Sequence, residues 1–204
     1  KMFKNIPAQL SSNSSRYMIE TALGEKKPGN IDTVVYEMGE SMVVNLAHHV
    51  NAPNVGLGLN SSLNTYKMYM ADTGLFITLA FWDKNFTENI IYQQLLSNKL
   101  KASLGYVYEN LVAQMLQTAG NELYYYTFPT DNGNKNYEID FLLSRGNKIV
   151  PIEVKSSGYK THKSLDTFCE KFSSRIGERI LLYTKDYAQD SQTTCIPVYY
   201  TALL

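Results

Sequence analysis

The chain of 204 residues is 44% hydrophobic and 19% charged, which is enough apolar material for one large or two small folded domains. Nineteen basic residues balance nineteen acidic ones, so the net charge provides no overall attraction to nucleic acid or to an anionic membrane. The longest uncharged stretch, residues 41–66, is interrupted by Asn, His, Pro and Gly and lacks the roughly 20 continuous apolar residues of a membrane span. We therefore expect no membrane partner, and any contact with nucleic acid requires a local basic patch.

The cysteines indicate the cellular compartment, and the first residues indicate whether the sequence is part of a longer protein. Cys169 and Cys195 form no C-x-x-C pair, which argues against a disulfide scaffold and against a thiolate metal site. This cysteine usage fits a reducing cytoplasm. The start, Lys1-Met2-Phe3, has neither an initiator methionine at position one nor a secretory leader, so we expect the sequence to be a piece of a longer protein.

The first 70 residues predict two short helices followed by a pair of strands. A serine-rich cluster precedes the first helix, expected over residues 16–23, and Asn30 precedes a second helix with apolar residues at helical spacing. Extended segments are expected at residues 42–50 and 66–70. This order is typical of a winged helix-turn-helix, so we predict a winged-helix-like domain over residues 1–70. Its role is either DNA contact or plain packing.

Residues 71–102 predict a helical connector that is rich in aromatic side chains. Packing between two domains is the favoured role for these side chains. They are Phe76, Phe81, Trp82, Phe86 and Tyr92.

The remaining chain, residues 103–204, predicts an α/β domain. A helix with a continuous apolar stripe begins at residue 103 and ends near Gly120. Three strands, a second helix and two further strands follow it, which is the element order of an α/β core. The strands are expected at residues 123–128, 136–144, 149–154, 180–183 and 196–200, and the second helix at 165–172.

The second and third of these strands form a predicted hairpin that carries four charges among apolar residues. If Gly146-Asn147 is a two-residue turn, Arg145 pairs with Lys148, and the register is then determined. Strict alternation places Ile139, Phe141 and Leu143 on one face and Glu138, Asp140 and Leu142 on the other. In this register, Asp140 lies opposite Glu153, and Glu138 lies opposite Lys155.

The two cross-strand pairs have different explanations. Glu138 opposite Lys155 is explained as an ion pair on a solvated face. Asp140 opposite Glu153 places like charges about 4.5–5.5 Å apart, which is unfavourable unless a cation lies between them. The sequence therefore predicts a divalent-cation site here. The alternative is that Lys155 and water reduce the repulsion without a metal.

Several segments resemble the C-terminal region of prokaryotic AAA-type ATPases of uncharacterised role. They are "IPAQLSSNSSRY", "YKMYMADTGLF", "GYVYENLVAQML", "YEIDFLL" and "VPIEVKSS". Within them, Glu109 on a helix, Asp140 on a strand and Glu153-Val154-Lys155 on the next strand resemble the PD-(D/E)xK or restriction-endonuclease-like superfamily. The resemblance implies a restriction-endonuclease-like mixed sheet flanked by helices and preceded by a small winged-helix-like domain.

The resemblance also implies a chemistry for these residues. Asp140, Glu153 and the carbonyl of Val154 would hold Mg²⁺ or Mn²⁺. Lys155 would orient or activate the attacking water, and Glu109 would assist through a water or a second metal. The reaction would be cleavage of a phosphodiester bond in DNA.

The chain departs from the full ATPase in two ways. It contains no G-x-x-x-x-G-K-[ST] motif, so ATP binding would belong to an N-terminal ATPase domain outside this sequence. Ile139 stands where the superfamily motif has proline. Three functions therefore remain open: a metal-dependent nuclease module, a catalytically idle DNA-binding or regulatory module, and a structural module for homo-oligomerisation.

Overall fold

In a computed structural model of the chain, the described residues are 1–12, 14–81, 104–157 and 161–204. They form a mixed α/β fold around an eight-stranded sheet, which confirms the predicted α/β class, while its restriction-endonuclease-like and winged-helix-like parts stay predictions. The strands, numbered in chain order, are β1 (Val44–Val50), β2 (Ser61–Met70), β3 (Leu123–Pro129), β4 (Asn136–Arg145), β5 (Lys148–Val154), β6 (Arg179–Tyr183), β7 (Ala188–Asp190) and β8 (Thr193–Pro197). The described α-helices are α1 (Ile6–Ser11), α2 (Ile19–Leu23), α3 (Ile31–Glu40), α4 (Thr73–Ala80), α5 (Gly105–Thr118) and α6 (Lys163–Lys171).

The sheet joins both ends of the chain. Its strand order is β2-β1-β3-β4-β5-β6-β8-β7. Strand β1 pairs in parallel with β3, with Ala47 opposite Leu123. The strands of residues 1–70 and those of residues 103–204 therefore lie in one sheet, and the proposed division into a winged-helix-like domain, a connector and a nuclease-like domain stays a prediction.

Helices cover both faces of the sheet. On one face, α5 buries Val107, Val112 and Leu116 in the same core as Phe141 of β4 and Ile152 of β5. On the other face, α6 buries a second set of apolar side chains against β4 and β5. These residues are Leu165, Phe168 and Cys169 of the helix and Ile139, Leu142 and Ile149 of the strands.

The β4–β5 hairpin has the predicted register. Arg145 pairs with Lys148, and the ladder continues to Phe141 opposite Ile152. Gly146 adopts a positive φ of 59°, which the turn requires and which glycine adopts without steric cost.

The predicted alternation along β4 is wrong because the strand contains an irregularity. Tyr124 of β3 pairs with Leu142, but Tyr126 pairs with Ile139, so β4 supplies one extra residue between the two pairs. Such a bulge reverses the alternation of side chains beyond it. Ile139 and Leu142 consequently share the α6 core, whereas Phe141 lies in the α5 core.

Several element boundaries differ from those expected, and some elements were not expected. Helix α2 begins at Ile19, three residues later than expected, and ends at Leu23, where it is capped by Gly24 with a φ of 74°. Helix α1 was not expected from the sequence. The final strand was expected over residues 196–200, but β8 ends at Pro197 and a 3-10 helix, Val198–Leu203, follows. Proline has no N–H for the ladder, so it is a natural strand end here.

Part of the predicted connector falls within the described residues. Helix α4 occupies its beginning, and Phe76 is fully buried in the core. Trp82, Phe86 and Tyr92 lie outside the described residues. Among the residues that the structure describes, no helix has the length and apolar character that crossing a membrane requires.

Candidate metal centre

A cavity of about 930 Å³ opens between α5, β2, β4 and β5. Its walls carry the charged residues that the sequence singled out. The charged lining residues, with the adjacent Val154, are Lys67, Glu109, Lys135, Glu138, Asp140, Glu153 and Lys155.

Helix α5 places Glu109 in this cavity. Its apolar stripe packs on the sheet, and the neighbouring Asn110 is fully buried. The Asn110 side chain accepts a hydrogen bond from the N–H of Met70 at 2.8 Å and donates one to the carbonyl of Met70 at 3.1 Å. This pair of bonds holds α5 against the end of β2, so Glu109 has a defined position beside that strand.

Strand β4 contributes two further carboxyl groups, Glu138 and Asp140. Carboxylate oxygens of Glu109, Glu138 and Asp140 lie within 4.8 Å of one another. Three oxygens at this spacing form a donor set of the kind that hard divalent cations prefer. This group differs from the predicted set, because Glu138 takes part in it and Glu153 does not.

Strand β2 contributes Lys67 and Tyr69, neither of which was predicted from the sequence. The Lys67 ammonium donates to Glu109 Oε1 at 3.0 Å and also contacts Glu138 Oε1. Tyr69 is fully buried, and its hydroxyl donates to the same Glu109 oxygen. Lys67 is only 5% exposed, so its charge is neutralised by these carboxylates rather than by water.

Glu153 and Lys155 of the β5 end pair with each other. The Lys155 ammonium contacts Glu153 Oε1, while Glu138 pairs with Lys67. The predicted Glu138–Lys155 ion pair is therefore wrong, because a lysine from a strand distant in sequence takes Glu138 as its partner. Glu153 is 5% exposed, and among the described residues its Oε2 has no hydrogen-bond partner.

Val154 holds Asp140 in place. Its backbone N–H donates to Asp140 Oδ2 at 2.7 Å, just beyond the last ladder pair of the hairpin. The next N–H, that of Lys155, donates to the carbonyl of Leu182 in β6. The end of β5 thus separates from β4, and Asp140 takes the hydrogen bond that a strand carbonyl would otherwise accept.

The electrostatics reflect an excess of acid. Burial raises the pKa of Asp140 well above its usual range, and Glu109, Glu153 and Glu138 raise it further. Burial also raises the pKa of Glu138, against the opposing effect of Lys67. Burial alone would lower the pKa of Lys67, but the surrounding carboxylates outweigh it and the pKa is raised. Lys67 is thus a permanent cation at physiological pH.

The structure brings all the predicted side chains, Glu109, Asp140, Glu153 and Lys155, into one cavity. Sequence reasoning missed the role of Glu138 as a member of the cluster, and it missed Lys67 and Tyr69 entirely. One sequence feature could have indicated Lys67. In the predicted strand "YKMYM" it is a single charged residue among large apolar and aromatic residues, and the structure shows all five to be buried.

Residues 104–201 match a protein family described as a domain of unknown function, DUF4143. This domain is found in the C-terminal region of ATPase-associated proteins. The matched segment contains the four carboxyl groups and Lys155, whereas Lys67 and Tyr69 precede it. No curated protein and no solved structure gives a significant match to the chain. The C-terminal half of the chain is therefore similar to this domain, and the site combines that half with a strand from the preceding segment.

Proposed function

We propose that the cavity binds Mg²⁺ or Mn²⁺ and that the protein hydrolyses phosphodiester bonds in DNA, as the C-terminal module of an ATP-binding protein. ATP would be bound by an N-terminal ATPase domain of the same protein, which would also be a partner of this module in the cytoplasm. One observation carries the proposal: four carboxyl groups converge on a cavity in which a buried oxygen of Glu153 has no hydrogen-bond partner among the described residues.

The donor set fits a hard divalent cation. All the candidate ligands, the carboxylates and the backbone carbonyl of Val154, are oxygens, which Mg²⁺ and Mn²⁺ prefer to nitrogen or sulfur. The four carboxyl groups face two ammonium groups, those of Lys67 and Lys155, so full ionisation leaves an excess of two negative charges. A divalent cation would balance this excess and would give the unpartnered Glu153 oxygen a ligand.

Asp140 and Glu153 are the best placed ligands. Asp140 is oriented by the Val154 N–H, and its second oxygen remains for a cation. When bound, Mg²⁺ or Mn²⁺ polarises phosphoryl oxygens and lowers the pKa of a coordinated water. The Lys155 ammonium is 36% exposed at its side chain, so it can reach a phosphate from its position beside Glu153 and stabilise negative charge there.

The cavity is large enough for part of a nucleic-acid strand. Its volume of about 930 Å³ lies in the range of pockets that hold substantial ligands. Lys135 lines its rim and offers a phosphate contact. Residues 104–201 carry nearly equal numbers of basic and acidic residues, so DNA would be delivered by residues 1–70 or by the ATPase domain.

A catalytically idle module, acting in DNA binding, regulation or homo-oligomerisation, is the second candidate. The position of Lys67 favours it. One ammonium group already contacts both Glu109 and Glu138, so an internal cation balances part of their negative charge without a metal.

The two candidates are separated by titrating Mn²⁺ calorimetrically into the chain and its Asp140→Ala variant, and by assaying the full-length protein for DNA cleavage. The nuclease proposal expects Mn²⁺ binding that Asp140→Ala abolishes. It also expects weak Mn²⁺-dependent cleavage by the full-length protein, with little or none by the 204-residue chain.

Lys155→Ala should abolish this cleavage and leave the circular dichroism spectrum unchanged. Lys185→Ala, at an exposed residue far along the chain, is the matched control and should cleave normally. If DNA binds but no product depends on Asp140, Glu153 and Lys155, the idle module is the correct function.

A further inference from the structure

We infer that the ammonium group of Lys67 takes the place of a divalent cation between Glu109 and Glu138. The inference concerns the same cavity as the proposed function, and it rests on the proposal that these carboxylates accept divalent cations. Its consequence is that the natural chain has room for a single divalent cation, and that removing Lys67 creates a second site.

The contacts of Lys67 are those of a shared counter-ion. Its Nζ lies 3.0 Å from Glu109 Oε1 and also contacts Glu138 Oε1. Carboxylate oxygens of these two glutamates and of Asp140 all lie within 4.8 Å of one another. Carboxylates at this spacing repel one another unless a cation or a proton lies between them, and the Lys67 ammonium contacts both glutamates.

Lys67 is held in this position by its surroundings. It lies on β2, paired with Ala47 of β1, so its backbone is part of the sheet. Its side chain is 6% exposed, and Nζ lies 5.5 Å from the centre of the Tyr125 ring. A long side chain that is buried in this way has few accessible rotamers, so the Lys67 ammonium stays beside the two glutamates.

The two ends of the cavity consequently differ. Glu109 and Glu138 share Lys67, and Glu109 also accepts the Tyr69 hydroxyl. At the other end, Lys155 contacts one oxygen of Glu153 and the second Glu153 oxygen has no partner among the described residues, while Asp140 accepts a backbone N–H and, among the same residues, has no ammonium group within salt-bridge distance. A divalent cation therefore belongs at Asp140 and Glu153, and Lys67 occupies the alternative place.

The test is Lys67→Met, which keeps an unbranched side chain only one heavy atom shorter and removes its charge. Mn²⁺ is titrated calorimetrically into the natural chain, into Lys67→Met, and into Lys67→Met combined with Glu138→Gln. We expect Lys67→Met to bind one Mn²⁺ more than the natural chain, and the double variant to lose that additional equivalent. Circular dichroism with and without Mn²⁺ reports folding, and restoration of a poorly folded Lys67→Met by Mn²⁺ is the same positive result.

The outcomes distinguish this inference from the proposed function. If the natural chain binds none and Lys67→Met binds one, Lys67 replaces a cation and the proposed metal-dependent function fails. If both bind the same number, or if Lys67→Met stays unfolded with and without Mn²⁺, the inference is overturned. If the natural chain and Lys67→Met each bind one Mn²⁺, the inference fails but the proposed function stands.

Discussion

Replacing Asp140 by Asn should stabilise the metal-free protein at neutral pH, although the residue belongs to the proposed site. The substitution removes a negative charge from a cluster in which carboxyl groups outnumber ammonium groups. Asparagine retains an oxygen that can accept the Val154 N–H, which Asp140 accepts at 2.7 Å. The backbone contact is therefore kept while the repulsion is removed.

The size of the effect follows from the spacing of the cluster. Two unit charges 4.8 Å apart interact by roughly 3 kcal/mol at an effective dielectric constant of about 20. Asp140 is repelled by Glu109, Glu153 and Glu138 and attracted by Lys67 and Lys155, so about one such repulsion remains. We expect Asp140→Asn to raise the free energy of unfolding by roughly 1–3 kcal/mol at neutral pH.

The effect should depend on pH with a defined sign. The pKa of Asp140 is raised in the folded state above its ordinary value of 3.8. Below that ordinary value the carboxyl group is protonated in both the folded and the unfolded state, so the variant gains nothing. As the pH rises from 3.8 through the raised pKa, the natural protein loses stability, and the advantage of Asp140→Asn grows until it levels off above that pKa.

The measurement is urea unfolding followed by circular dichroism, in chelator, near neutral pH and again near the ordinary pKa of aspartic acid. Asp131→Asn is the matched control, because its side chain is 74% exposed and lies outside the cluster. We expect the control to change stability by less than about 0.5 kcal/mol. A destabilised Asp140→Asn at neutral pH, or an advantage that is the same at both pH values, would refute the electrostatic reasoning.

Three further expectations test the same structure. Lys67→Met should lower the free energy of unfolding in chelator by about 3–5 kcal/mol at neutral pH, because two buried carboxylates lose their shared cation; a loss below about 1 kcal/mol in urea unfolding contradicts this. Gly146→Ala should cost about 1 kcal/mol through its positive φ, whereas Gly29→Ala, at an open site without positive φ, should be nearly neutral in the same assay. Limited proteolysis within residues 71–102 should give two fragments that co-elute in gel filtration, because β1 and β3 pair; separate elution would contradict the shared sheet.

Local patterns in the sequence were sufficient for the hairpin and its charges. The Gly146-Asn147 turn defines which residues pair across β4 and β5, because a two-residue turn allows only one pairing register for the strands it joins. The apolar stripe of α5 is likewise a periodic pattern within a single segment. From the hairpin register alone, Asp140 and Glu153 were expected to lie close together, whereas Glu109 and the catalytic role of Lys155 were expected only from the resemblance to the PD-(D/E)xK superfamily.

Only the tertiary structure decided how those charges are partnered. The bulge in β4 depends on pairing with β3, and it moved Phe141 to the face opposite Ile139. The partner of Glu138 is Lys67, which is 71 residues away in sequence and reaches the site because β2, β1 and β3 assemble into the same sheet. A lysine on an apolar strand carries no local sign of its partner, because the Coulomb energy that selects it depends on distances and burial that exist only after the sheet and α5 have packed.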